Sequence, residues 1–183
     1  RPGAAHVALV VDEQDPAAQV HERGRLLGRV DLFAGLSDEA RREIAGAIRS
    51  RTFGDGESIV RQGEPGESMF IIASGRAVVA LEPDRREVAT IEGGGYFGEM
   101  SLLTGEPRTA TVIARGDTVV LEIGADLFRH LGMTSPQAIE QVGVAAAARR
   151  IELEKVRAAG TGAAVADAPA SFLSRMRRFL RLT

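Results

Sequence analysis

The stretch Phe97-Gly98-Glu99-Met100-Ser101-Leu102-Leu103-Thr104-Gly105-Glu106-Pro107-Arg108-Thr109-Ala110-Thr111-Val112 decides how the rest of the chain is read. A glycine-rich turn, Gly93–Gly95, leads from a β-type run into a helix of only about six residues. That helix stops at Gly105, and β-type sequence resumes at Thr109. A helix so short buries little. Its free N-terminal amides and the positive end of its dipole are its most useful feature, and together they suit an anion.

Arg108 follows Gly98 after enough chain to fold back over the helix start. Arginine is the side chain best suited to forked recognition of phosphate oxygens. Glu99 would repel a phosphate directly, so in the same pocket it needs a donor such as a sugar hydroxyl. Thr109 adds a hydroxyl, and Ala110 leaves the backbone free to approach a ligand. Phosphate, sugar hydroxyl and a site between strand and helix point to a nucleotide. Taken singly, Glu99 reads as a dipole-compensating surface residue and Arg108 as a solvated loop side chain paired with Glu106. Their combination at this spacing overturns both readings.

Outward from this segment, residues 51–124 are punctuated by glycines, among them Gly54, Gly56, Gly63, Gly66, Gly75, Gly98, Gly105 and Gly116. Between them lie short β-rich runs at 58–60, 69–73, 77–81, 88–91, 109–114 and 118–123, the pattern of a sandwich or barrel. Leu36, Ala40, Ile44 and Ile48 precede this region at helical spacing, with Ser37 as N-cap. After Gly124 the helical period returns, first over 126–131 and then from Ser135-Pro136 to about Arg157. The fold class is therefore α+β: an antiparallel, jelly-roll-like β-roll with an N-terminal helix, a short cassette helix and C-terminal closing helices. The boundaries read as 1–25, a linker or the end of an upstream domain in which Val7–Val11 could form a strand; 26–157, the domain; 158–170, an Ala/Gly/Thr/Pro linker; and 171–183, a tail. The tail spaces Phe172, Met176, Phe179 and Leu180 helically among four arginines, the composition of a membrane-surface helix or of a helix docked on protein.

Composition excludes several function classes. The 183 residues hold 23 Lys+Arg against 25 Asp+Glu, a net charge of −2, so the chain is not a nucleic-acid-binding polycation. There is no cysteine, which removes disulfides, thiolate metal sites and thiol nucleophiles. The 3 histidines are far apart in sequence, so a histidine metal centre is not expected. No apolar run approaches ~18 residues. Gly93-Gly94-Gly95-Tyr96-Phe97-Gly98 matches a dinucleotide-binding glycine pattern, but the long helix and parallel strand that pattern requires do not follow. No arrangement suited to making or breaking a bond is evident, so no enzyme activity, metal or cofactor is expected.

The Gly98-Glu99 start, the Pro107-Arg108-Thr109-Ala110-Thr111 end and their separation resemble the phosphate-binding cassette of cyclic nucleotide-binding domains. The similarity extends over roughly 26–157 and includes Asp31-Leu32-Phe33, Leu36-Ser37 and Gly63…Gly66-Glu67-Ser68-Met69-Phe70-Ile71-Ile72…Gly75. The resemblance implies that Glu99 accepts from the ribose 2′-hydroxyl, that Arg108 pairs with the cyclic phosphate, and that Gly98, Met100, Ser101 and Ala110 supply cassette backbone. A Thr in the position of Thr109 accompanies guanine recognition in the family and also occurs in members that bind cAMP, so the ligand is cAMP or cGMP. Base contacts would come from the closing helix, at Arg149, Arg150 and Leu153. That helix departs from the family because Ala145–Ala148 offers no large apolar cap for a base. The alanine-rich middle of the helix 135–157 and a hinge at Gly132–Ser135 suit a lid, so bound nucleotide is expected to favour one placement of that helix.

The wording from Met100 to Arg108 resembles bacterial channels with such domains. It implies a regulatory module on the cytoplasmic face of an inner-membrane protein, with the channel domain upstream, as a start at Arg1 would suit. A sensor part of a transcription regulator and a free-standing cytosolic sensor are the alternatives. Expected partners are a cyclic purine nucleotide, the upstream channel domain, a second copy of the chain and, through the tail, a membrane surface. Nucleic acid is not expected.

Overall fold

The computed structural model describes residues 16–161 and 169–181. Helices α1 (Pro16–Gly28) and α2 (Asp38–Ala47) flank a single 3-10 turn at Asp31–Phe33. Ser37 caps α2 as its sequence predicts, accepting from the Ala40 amide at 3.2 Å. Strands β1 (Arg49–Phe53), β2 (Ser58–Val60), β3 (Ser68–Leu81), β4 (Arg86–Glu92) and β5 (Tyr96–Phe97) lead to the cassette helix α3 (Glu99–Thr104). Strand β6 (Thr111–Gly124) and helices α4 (Ala125–Thr134), α5 (Pro136–Thr161) and α6 (Pro169–Leu180) complete the order.

The sheet is antiparallel in the order β1-β6-β3-β4, with β2 paired to β6 and β5 to β3. This is the jelly-roll-like β-roll expected from the turn spacing. The central strands serve two cores at once, because alternate side chains leave opposite faces of a strand. Phe70 and Ile72 of β3 meet Val112, Ala114 and Val120 of β6 inside the roll. Met69 and Ile71, with Leu121 and Ile123, instead pack beneath the helices. That double burial explains the uninterrupted apolar run Met69–Ile72.

Three readings of the sequence change. The paired runs 69–73 and 77–81 are one 14-residue strand, as are the runs within 111–124. Gly75 (φ +82°) and Gly116 (φ +70°) bend these strands without ending them, and the β3–β6 register shifts around Ser74. A Cβ on Gly75 would lie 2.4 Å from the Asp117 carbonyl oxygen, so glycine is required there by contact as well as by φ. Strand β1 has no apolar alternation and is almost wholly exposed, yet it pairs with β6 from Arg49↔Glu122 to Phe53↔Thr118. Helix α1 crosses residue 25, within the stretch read as a linker; it buries Leu27 and bonds Arg23 Nη1 to the Ile48 carbonyl at 3.1 Å. Residues 7–11 lie outside the described residues.

At the other end, α5 runs to Thr161 and α6 starts at Pro169. The break between α4 and α5 is confined to Ser135. The apolar stripe of α6 does not face outward to a membrane. Phe172, Met176 and Leu180 are at most 1% exposed and belong to the core formed with α3, α4 and α5. The protein's own helices cover the surface that a lipid-facing reading needs. Among the described residues, no helix is long and apolar enough to cross a membrane.

Candidate functional site

Arg108 leaves the extended segment between α3 and β6 and turns inward, 7% exposed. Its own backbone is anchored first: the Arg108 amide donates to Glu64 O at 2.9 Å, and the Gly63 amide donates to Arg108 O at 2.8 Å. The guanidinium then bonds across the site. Nη1 donates to Ser68 O (2.7 Å) and Gly98 O (3.2 Å), Nη2 to Ser68 Oγ (3.2 Å), and the group lies 5.7 Å from the Phe70 ring centroid. Two glycines make room for it. A Cβ on Gly66 would fall 2.2 Å from Arg108 Nε, and one on Gly98 (φ +83°) would fall 2.7 Å from Nη1. Burial pulls the guanidinium pKa down, while Glu122 and Glu99 oppose the shift.

Glu99 opens α3 and is 3% exposed. Burial raises its carboxyl pKa; Arg149, its own backbone amide and Arg108 partly offset that rise. Arg149 reaches it from α5, with Nε 3.3 Å from Glu99 Oε1. The same guanidinium donates from Nη2 to Tyr96 O at 2.6 Å and sits 3.7 Å from the Tyr96 ring centroid. Burial raises the Tyr96 phenol pKa, against the pull of Arg149.

These groups converge on one open cavity of about 1260 Å³ between the β-roll and α5. Of the residues singled out in the sequence, Gly98, Glu99, Met100, Ser101, Arg108, Thr109, Ala110 and Arg149 all line it. Arg150 does not. It turns to the other side of α5, where Nη1 is 3.1 Å from both Glu106 carboxylate oxygens and Nε is 3.0 Å from Glu154 Oε1. Burial would lower the Arg150 pKa, but the hydrogen bonds and charges of Glu106 and Glu154 outweigh it and raise the value. The Leu153 side chain lies outside the described residues.

Ser68, Gly66 and Tyr96 join the site although the sequence reading gives them no binding role. The signal for Gly66 and Ser68 was within the segment 63–75 that resembles the family, but only the fold shows both pressed on Arg108. The cavity combines a fixed guanidinium, a buried carboxylate and apolar walls that include Val60, Val79 and Ile91. Such a site can hold an anion at one place, a hydroxyl donor at another and a flat apolar group between strands. Among the described residues no acidic or histidine cluster could hold a metal ion.

Residues 50–135 match the cyclic nucleotide-binding domain family. The chain is 39% identical over 126 residues to a cyclic nucleotide-gated potassium channel of Rhizobium etli, covering 69% of this chain and 35% of that protein. It is 38% identical over 112 residues to a cGMP-dependent protein kinase of Eimeria tenella, covering 61% and 11%. The chain thus spans well under half the length of these relatives. Among solved structures, cAMP-bound PfPKA-R superposes with a TM-score of 0.67 at 28% identity, over 81% of this chain and 49% of that one. The match over 50–135 and the superposition make this β-roll a domain of the cyclic nucleotide-binding fold.

Proposed function

We propose that the cavity binds a purine 3′,5′-cyclic monophosphate. Arg108 pairs with the cyclic phosphate, Glu99 accepts from the ribose 2′-hydroxyl, and Gly98, Met100, Ser101, Thr109 and Ala110 form the surrounding wall. The observation that carries this reading is the convergence of Arg108 and Glu99, both nearly buried, on one cavity. Ser68 and Gly98 hold the guanidinium and Arg149 holds the carboxylate, so both charges are set in place for a ligand that uses both. Arg149 holds Glu99 in place at the ribose end, and no base contact is assigned to Arg150.

Calorimetric titration of the chain with cAMP and with cGMP tests the proposal. Arg108→Ala should weaken binding by roughly 2–5 kcal/mol, as truncation of one partner of a buried charge pair does. Unchanged affinity overturns it.

The domain acts as a sensor for an attached effector, not as a catalyst. Likeness to the Rhizobium etli potassium channel supports a channel as that effector, on the cytoplasmic face of a membrane. Likeness to cAMP-bound PfPKA-R supports a second reading, regulation of a kinase catalytic subunit. Inhibition of such a subunit by this chain, relieved by cAMP, would favour the second.

A further inference from the structure

Glu106 stands apart from the cavity, yet it belongs to the segment that holds the nucleotide site. It follows Gly105, which caps α3 in the left-handed region (φ +71°, amide to Ser101 O at 2.9 Å), and it precedes Arg108 by two residues. Its carboxylate receives Arg150 of α5 on both oxygens at 3.1 Å and Arg175 Nη1 of α6 on Oε1 at 2.8 Å. One side chain thus joins the cassette, the closing helix and the last helix.

The packing around this carboxylate is fitted to α6. The Phe179 ring lies where a Cβ on Gly105 would be, 2.4 Å from Cε2. On α5, a Cβ at Gly143 would come within 2.6 Å of Met176 Cε and 2.8 Å of Leu173 Cδ2. Helix α6 is therefore seated on the end of the cassette helix and on α5 through two glycines, with Glu106 bridged to both α5 and α6. Any change in the relative position of cassette and α5 alters the seat of α6.

Between Glu106 and Arg108 stands Pro107, whose ring fixes φ. With the Arg108 backbone anchored to Gly63 and Glu64, the segment has little freedom to absorb a shift at Arg108 before it reaches Glu106. We propose that Glu106 is the positioning residue that couples the nucleotide site to α6, making α6 a nucleotide-responsive element of this domain. The inference rests on the binding function proposed above. A phosphate on Arg108 fixes the end of the cassette, holds Glu106 toward Arg150 and Arg175, and so favours the docked α6. By linkage, docked α6 favours nucleotide binding to the same extent.

The experiment is amide hydrogen exchange on the full chain, with and without saturating cAMP or cGMP, after a titration that fixes each variant's affinity. In the wild type, nucleotide should slow exchange in 172–180 by at least about five-fold, the lower end of ordinary coupling. Glu106→Gln, compared at its own saturation, should lose that slowing, and Glu106→Asp should restore much of it. Arg175→Gln probes the same link from α6 and should also lose the slowing. A merely structural Glu106 would change exchange equally in both states and leave the nucleotide-dependent difference intact. The inference is overturned if α6 exchange in the wild type ignores nucleotide, or if Glu106→Gln and Arg175→Gln keep the full slowing. A wild type that takes up neither nucleotide overturns the binding reading as well, and the titration reports that separately.

Discussion

Arg149 of the closing helix and Glu99 of the cassette helix form an ion pair, Nε to Oε1 at 3.3 Å, in which the carboxylate is buried and the guanidinium is partly exposed. The pair explains how a carboxyl group stripped of water can remain an acceptor. Burial favours its neutral form, and Arg149 is the largest influence in the other direction. The closing helix thus sets the electrical state of the residue assigned to the ribose.

Replacing Arg149 by Gln should therefore make binding depend on pH. The Glu99 pKa, already raised, rises further when its partner is removed, so a smaller fraction is ionised at a given pH. Affinity for cyclic nucleotide should fall by about 1–3 kcal/mol, between the values for exposed and fully buried pairs. It should recover as pH rises. Titration in mildly acidic and mildly alkaline buffers checks this, and a variant whose affinity tracks the wild type at both ends contradicts it.

Glu99→Gln should separate stability from binding. A carboxyl whose folded pKa is raised contributes stability that is present below its unfolded value and lost as pH climbs through the folded value. The ligand-free wild type should accordingly lose stability as the pH rises above the ordinary value of 4.5 through the raised one. The neutral amide avoids that loss. The variant's stability should therefore vary less with pH than the wild type's over this range, while it binds nucleotide more weakly. Thermal melts across pH, paired with titration, read both effects.

Arg108→Lys keeps the charge but not the fork. One ammonium cannot reproduce the three bonds to Ser68 O, Ser68 Oγ and Gly98 O while also facing a phosphate. Its affinity should lie between those of wild type and Arg108→Ala, at least about 1.4 kcal/mol, or tenfold, below wild type. Equal affinities of the lysine and arginine forms would show that charge alone suffices.

Gly66→Ala tests the room made for the guanidinium. Gly66 carries no positive φ, so alanine adds no backbone strain; its methyl would meet Arg108 Nε at 2.2 Å. The guanidinium must move. Nucleotide affinity should drop about tenfold or more, with some loss of stability, since the displaced guanidinium gives up its bonds to Ser68 and Gly98. A loss of stability without loss of affinity would place the clash elsewhere.

Much of this site can be read in the sequence because its cassette is contiguous: Gly98 to Ala110 carries the spacing, and the fold closes it into one cavity wall. Arg149 could be named but not placed, since whether a helical arginine faces the cavity or the opposite side depends on a rotation of about 100° per residue. Adjacent Arg149 and Arg150 accordingly part company, one to Glu99 and the other to Glu106. Strand β1 was illegible for a different reason. An edge strand held mainly by its backbone ladder, with Phe53 alone packed on the roll core and Arg51 paired to Glu122, needs no apolar alternation. The two long strands read as four because a bending glycine and a turning glycine look the same without the partner strand.

The β3–β6 ladder joins residues on either side of the whole cassette, from Ser68↔Gly124 to Ala80↔Thr111. Nothing local can nucleate such a pairing, because β4, β5 and α3 all lie in the chain it encloses. Loop closure must precede its reward, which places this domain among slower-folding topologies. During synthesis the Arg108 pocket cannot be assembled until β6 has emerged and zipped onto β3. A ribosome-bound chain that ends before Gly124 holds every residue of the cassette and still lacks the completed ladder that shapes it.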